Sequence, residues 1–258
     1  MKKFLLFICC TVLTAFCLTG CLDSNEDVTI NANGSGVFKN TIDMSGLFDM
    51  LQMVAMMDTS ANSQIKNFSD KNIDSSFSLG ALTDTSTSLT AEEKALFKDA
   101  TVHIVVNQND KVFKATMTYP FNQVEDVQKI MELQQNGKGF NPMGKMKGNP
   151  ALAEMGDKGM PSTGEITSTT FQSGLIERKI DSAKLNELKS NEDFNQMQNA
   201  EAMLKQITFN TTIHLPKVAK NASGSNLTLS DDKKTVRIKY TLLDMMKTPK
   251  ALEFKIEY

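Results

Sequence analysis

Apolar residues recur at every second position in several stretches of the chain, and that period predicts β-strands. Val28, Ile30 and Ala32 share one face, Asn33-Gly34-Ser35-Gly36 carries turn chemistry, and alternate positions from Phe38 to Met44 are apolar again. Two alternating runs joined by such a turn predict a hairpin. A second hairpin is predicted from 101–107, with Val102, Ile104 and Val106 inward, and 112–119, with Phe113, Ala115, Met117 and Tyr119 inward, across Gln108-Asn109-Asp110-Lys111. Further strands are predicted over 165–174, 206–215, 226–229 and 235–240, with the residues from 215 to 225 reading as turns. Over 251–258 the alternation is complete. Leu252, Phe254, Ile256 and Tyr258 face one way and Glu253, Lys255 and Glu257 the other, as on a sheet with one buried and one wet face.

Elsewhere the period lengthens to that of a helix. From Gly46 to Met57, the residues Leu47, Met50, Leu51, Val54 and Met57 form one stripe, while Phe48, Met53, Ala55 and Met56 fall off it. A helix this apolar all round must be buried or meet a partner. Thr90 with Glu93 three residues on is a capping box that opens a short helix ending near Asp99. Residues 121–135 put Val124, Val127, Ile130 and Met131 on one stripe, and helices are also predicted over 181–189 and 192–205, with a helical turn at 243–246. Residues 58–88 are rich in Ser, Thr, Asn and Asp and read as a loop with one short element. Residues 137–164 hold seven Gly, three Pro, four Met and four Lys, which places them outside the core as a flexible insert. Hairpins interleaved with helices predict an α+β fold, a mostly antiparallel sheet of hairpins with helices packed on one face, in a single domain over 28–258.

The N-terminus follows a different logic. Lys2 and Lys3 precede an apolar run from Phe4 to Leu18, about fifteen residues where a membrane-spanning helix needs roughly 20. Residues 1–20 therefore read as a secretion signal. The run closes on Leu18-Thr19-Gly20-Cys21. In these four residues the chain resembles the bacterial lipoproteins, whose lipobox has Leu first, small residues next and an obligatory Cys last. The resemblance implies signal-peptidase cleavage between Gly20 and Cys21, a diacylglyceryl thioether on the Cys21 sulfur, and a freed amine able to take a third acyl chain. Two or three chains make attachment effectively permanent.

Cys9, Cys10 and Cys17 leave with the leader, so Cys21 is the sole cysteine of the processed chain; once it is alkylated, neither a disulfide nor thiolate chemistry remains. Residues 21–27 then read as the lipidated Cys and a short polar tether. The acids Asp23, Glu26 and Asp27 after Cys21 resemble the surface-export signal of Bacteroidetes-type lipoproteins. Leu215-Pro216 through Asn221, Gly224 and Thr235-Val236 resembles the C-terminal strand region of LppM-type envelope lipoproteins. Asp181-Ser182-Ala183 resembles the O-glycosylation triplet of Bacteroidetes, although an Asp or Ser there is also a plain helix cap, which is the reading adopted here.

Composition narrows the function classes. The 258-residue chain has 28 Lys+Arg against 30 Asp+Glu, a formal net charge of −2, and loss of Lys2 and Lys3 with the leader leaves 26 basic residues and about −4. That balance gives no basic footprint for nucleic acid and no charge-driven docking onto anionic lipid. His103 and His214 are the only imidazoles, each on a predicted strand among residues facing away from the apolar set. They could share a metal or a proton, or simply be two solvent-side histidines. The spacings of zinc hydrolases, the Gly-x-Ser-x-Gly elbow and a phosphate loop after a strand are all missing from the sequence. Acids such as Glu165, Glu177, Asp231 and Asp232 could serve glycoside hydrolysis by type, but with no Trp and three Tyr the chain has few sugar platforms. Met143, Met146, Met155 and Met160 lie in the insert and are soft metal ligands by type. Without His or Cys beside them they read as composition, and Met44, Met50, Met53, Met56 and Met57 read as adaptable apolar filler.

The expectation is a non-enzymatic, lipid-anchored protein of the bacterial cell envelope, on the periplasmic face or the cell surface, with no cofactor and no metal. Its partners would be the membrane, through Cys21, and an envelope protein or an apolar ligand. One alternative is a carrier or sensor of lipid-like molecules, which requires an apolar cavity between sheet and helices. Another is a carboxylate-based hydrolase, which requires two acids within roughly 5 to 10 Å of each other. Deletion of residues 138–163 is expected to leave the melting temperature unchanged, because a peripheral insert supplies no core; a fall in Tm would place this stretch inside the fold.

Overall fold

The computed structural model describes residues 22–47, 72–84, 86–136, 138, 166–190 and 201–258. The leader with Cys21, the predicted 46–57 helix beyond Leu47, most of the 137–164 insert and residues 192–200 of the predicted 192–205 helix lie outside the described residues. The chain opens with β1 (Leu22–Ile30) and β2 (Gly36–Asp43), followed by a 3-10 turn (Ser45–Leu47). β3 (Ile73–Ser78) leads into α1 (Leu79–Thr83), then α2 (Ala91–Phe97), the hairpin of β4 (Thr101–Asn107) and β5 (Val112–Phe121), and α3 (Glu125–Gln135). Next come β6 (Thr167–Gln172), β7 (Leu175–Ile180), α4 (Ser182–Ser190), α5 (Glu201–Leu204) and β8 (Ile207–His214). β9 (Asn221–Gly224), β10 (Leu227–Leu229), β11 (Thr235–Thr241), α6 (Leu242–Lys247), a 3-10 turn (Pro249–Leu252) and β12 (Phe254–Glu257) complete it.

The fold is α+β, as expected, but its strands divide between two sheets. One has eight strands in the order β10-β11-β8-β1-β2-β5-β4-β3, and the other has four in the order β6-β7-β12-β9. Among the described residues every pairing is antiparallel except one: β1 runs antiparallel to β2 and parallel to β8, with Leu22 level with Ile207 and Thr29 level with His214.

Local chemistry explains the first hairpin. The Asn31–Ser35 turn is closed by the Asn31 N–H donating to the Ser35 carbonyl at 2.8 Å, and Asn33 accepts from the Ser35 N–H at 3.1 Å. Gly34 sits at φ +85, the left-handed region open to glycine. Gly36 is fixed by space instead, since a Cβ there would stand 1.9 Å from the Thr29 carbonyl oxygen and 2.5 Å from the Phe121 ring.

Alternation sends one set of side chains inward. Leu22, Val28, Ile30, Phe38, Val102, Met117, Tyr119, Ile213 and Val236 are buried on one face of the large sheet. The opposite face carries Asp23, Asn25, Asp27, Lys39, Thr41, Thr116, Asn210, Thr212 and Lys239, half-exposed or exposed. The helices α2 and α3 cover the inner face over β5: the Tyr119 ring stacks on Phe38 at 5.8 Å and lies 6.0 Å from Phe97 of α2, while Gln134 of α3 donates to its hydroxyl at 2.9 Å. Both bonds of the Thr90–Glu93 capping box are present at the start of α2, and a second capping box, Thr241 with Asp244, opens α6. Asp181 accepts from the backbone N–H groups of Ala183 and Lys184 at 3.0 and 3.2 Å, so it does cap α4.

Residues 22–27, expected as a tether, are the first two-thirds of β1 and pair on both sides. Their polarity reflects a strand whose outer face is wet. Asp23 accepts a short hydrogen bond from Thr208, and Asn25 accepts from Asn210 at 3.0 Å. Three strands lie where none was expected. β3 falls in the supposed 58–88 loop, at the sheet edge, where Asp74, Ser75, Ser76 and Ser78 break the alternation. β9 is a four-residue edge strand with no large apolar residue, held by its backbone pairing to β12. β7 was obscured by the charged run Glu177-Arg178-Lys179. Phe121, expected to begin a helix, instead ends β5, and α3 begins at Glu125.

Burial pushes the Tyr119 hydroxyl up to about 12, with the Gln134 bond opposing the shift. The proton is held more tightly in the fold than in the unfolded chain, where tyrosine ionises near pH 10. The contribution is complete below pH 10 and is lost as the pH rises from about 10 to about 12. Native protein titrated at the tyrosinate absorbance band should therefore show a late-ionising tyrosine that Tyr119→Phe removes and that denaturant returns to an ordinary midpoint.

Candidate functional site

Cys21 itself lies outside the described residues, but the residue covalently joined to it is the first of β1. The three acids that resemble an export signal are all engaged in the sheet. Asp23 bonds Thr208, Glu26 points inward, and Asp27 Oδ2 lies 3.3 Å from His214 Nε2.

The inward Glu26 belongs to a buried polar cluster between the two sheets. Arg178 on β7 is only 3% exposed, and among the described residues it is the charged member of the buried set. Its Nε donates to Thr169 Oγ1 at 2.9 Å within the small sheet. Its terminal nitrogens cross to the large sheet, reaching the Tyr240 hydroxyl at 3.4 Å and Glu26 Oε2 at 3.5 Å. The guanidinium carbon stands 5.1 Å from the centre of the Phe254 ring, a cation–π contact, and Thr211 donates to the same Glu26 oxygen at 2.9 Å. Asn40, level with Glu26 across β1 and β2, has a buried Oδ1 without a hydrogen-bond partner. With both charges internally matched, this cluster acts as a brace between sheets and offers no free acid or base.

Both histidines stand on the wet face. His103 Nε2 is 2.7 Å from Asp74 Oδ1, and His214 lies beside Asp27 and Thr235. Their strands β4 and β8 are four positions apart in the sheet, about 19 Å at the usual strand spacing. They do not share a metal, and among the described residues no three His, Cys, Asp or Glu side chains group with metal-binding geometry. Of the acids considered for hydrolysis, Glu165 lies outside the described residues and Glu177 pairs with Lys179 at 2.8 Å. Asp231 and Asp232 sit in the β10–β11 turn, where hydrogen bonds from Ser230 and the Lys234 N–H hold the Asp232 carboxyl below the usual range. Glu177 and Asp232 thus each have a structural partner.

The described residues line a cavity of about 280 Å³ between α2 and α3, bounded by Glu92, Glu93, Glu132, Lys129, Leu96 and Leu133. Its walls are largely charged, unlike the apolar chamber that a lipid carrier needs. Lys138 lies 2.8 Å from Glu93 and with the Thr90 N–H holds that carboxyl below its ordinary value. No helix among the described residues is long and apolar enough to cross a membrane.

No protein-family model matches the chain, and no curated protein matches it. Among solved structures it is similar to the folded domain of the LppM protein of Mycobacterium tuberculosis, determined by NMR, at 8% identity over 94% of this chain and 93% of that one, with a TM-score of 0.40. A likeness at that level carries no weight for function.

The sequence gives no sign of Arg178's role, because in the charged run Glu177-Arg178-Lys179 it reads as one more solvated side chain. Arg178→Met keeps the apolar stem and strands Glu26, and should cost about 3 kcal/mol, the low end for breaking a buried pair because Glu26 keeps 21% exposure. The double variant Arg178→Met/Glu26→Gln should recover most of that loss in urea unfolding. Equal losses in single and double variants would show that charge pairing is not what Arg178 contributes.

Proposed function

We propose that this chain is a cell-envelope lipoprotein, held to a bacterial membrane through acylated Cys21, whose α+β domain has a binding or structural role and no catalytic one. The observation that carries the reading is the uninterrupted order of a basic start, a short apolar core and Leu18-Thr19-Gly20-Cys21, the residue next to β1 at Leu22. Glu177, Asp232, Glu26 and both histidines are taken up in ion pairs, a turn and the inter-sheet brace, which supports a binding or structural role over a hydrolytic one.

Cys21→Ser is expected to abolish incorporation of radiolabelled palmitate and to shift the protein from the membrane pellet to the soluble fraction. Retention of that variant in the membrane after a high-salt wash would overturn the acyl anchor.

A further inference from the structure

We propose that the domain stands upright on the bilayer, seated on the end of the large sheet at which β1 begins, with its strands running away from the membrane. The inference rests on acylation of Cys21 and extends it from attachment to orientation. Consecutive Cα atoms are ~3.8 Å apart, and Leu22 is already buried and level with Ile207 of β8. A diacylglyceryl group on Cys21 therefore meets the fold without a linker, and the level of the lipid headgroups is the level of the sheet end.

The position of β1 within the sheet makes that end a base. It is the fourth strand of eight, with β8, β11 and β10 on one side and β2, β5, β4 and β3 on the other. Support thus extends to both sides of the attachment point. β2 ends at Asp43, opposite Asp23, and β11 ends at Thr241, opposite Thr208, which is itself level with Asp23. Beyond the Lys114–Asp43 ion pair of 2.9 Å, the β4–β5 turn projects in the same direction.

The two ends of the sheet differ in chemistry. The end beside Leu22 exposes Asn109, Asp110, Lys111, Lys205 and Lys247, the last paired with Glu201. These groups hydrogen-bond to phosphates, amines and water, as a headgroup layer requires. The large apolar side chains exposed among the described residues lie toward the other end: Val218 at 49%, Leu82 at 43% and Leu229 at 37%. Val218 follows the far end of β8, Leu82 follows the far end of β3, and Leu229 is level with Val236, Ile213 and Val28. An end with a polar rim rests on headgroups, whereas an apolar one enters the acyl region. Nine residues of β1 place the Asn31–Ser35 turn and Val218 roughly 30 Å from the surface.

The test uses processed, lipid-modified protein carrying Lys205→Cys, Lys217→Cys or Lys39→Cys, each exposed and outside the core and the inter-sheet brace. With the Cys21 sulfur alkylated, the introduced thiol is the one a maleimide fluorophore takes. The proteins are reconstituted into phosphatidylethanolamine and phosphatidylglycerol vesicles containing a headgroup-nitroxide lipid quencher, and the mass of the N-terminal peptide is measured on the same samples. The expected result is that the label at 205 loses most of its emission while those at 217, at the far end of the same strand, and at 39, on the wet face, keep theirs. Quenching at 39 would mean that the domain lies on its polar face, quenching at 217 that it is inverted, and no quenching at any site that it is held clear of the surface; each overturns the upright seat while an acylated peptide mass leaves the anchor standing. An unmodified Cys21 in that mass would overturn the anchor and the orientation together.

Discussion

Between two sheets that exclude water, a guanidinium with no partners would be intolerable; desolvating such an ion costs several kcal/mol even after relaxation. Arg178 occupies that layer at 3% exposure, and its neighbours account for its position. Thr169 holds it from within its own sheet, Phe254 offers a ring face, and Glu26 and Tyr240 receive it from the other. Apolar contact alone would let two such faces slide or rotate with little penalty, because hydrophobic burial has no preferred direction. The directional contacts of Arg178 set one register between the sheets, and the apolar residues around it supply the driving force.

The strand that receives this brace is the one nearest the N-terminus. β1 has a partner on each side, an inward carboxylate at Glu26, and an outward row of Asp23, Asn25 and Asp27 tied laterally to β8. The segment expected to be a tether outside the domain is thus one of its paired strands. Its outer face continues into neighbouring strands as threonines, amides and paired charges, including the Thr41–Thr116 contact of 3.1 Å and the Lys114–Asp43 pair. A broad sheet can leave one face in water when that face is mostly polar, and this one is, with Val37, Val105, Val112 and Pro120 as its apolar members.

How much of this could be read from the residues depends on whether each strand announces itself by side chains or by backbone. The hairpins at 28–44 and 101–119, the capping box at Thr90 and the last strand were legible because their inward positions are apolar and their outward positions are not. β3 and β9 were not, because edge strands make half their contacts through main-chain groups that any residue possesses. β7 was hidden by its functional residue: Arg178 occupies an inward position that the pattern reserves for an apolar side chain. Residues 22–27 misled in the opposite way, since a wet outer face and an inward glutamate make a central strand look like a linker. The parallel pairing of β1 with β8 has no local signature at all. The proposed anchor at Cys21 rests on the sequence alone, while the brace needed the fold to bring Glu26 and Arg178 together.

That parallel pairing sets the order in which the protein can be completed. Asp23 and Thr208, which bond across it, are 185 residues apart. Synthesis delivers β1 first and β8 only after most of the chain, so the N-terminal hairpin must wait with one edge unpaired, a state prone to aggregation. Long-range closures of this kind are slow to nucleate. A nascent chain interrupted before β8 therefore exposes the edge that chaperones and proteases recognise, and quality control of the whole molecule falls to its C-terminal strands.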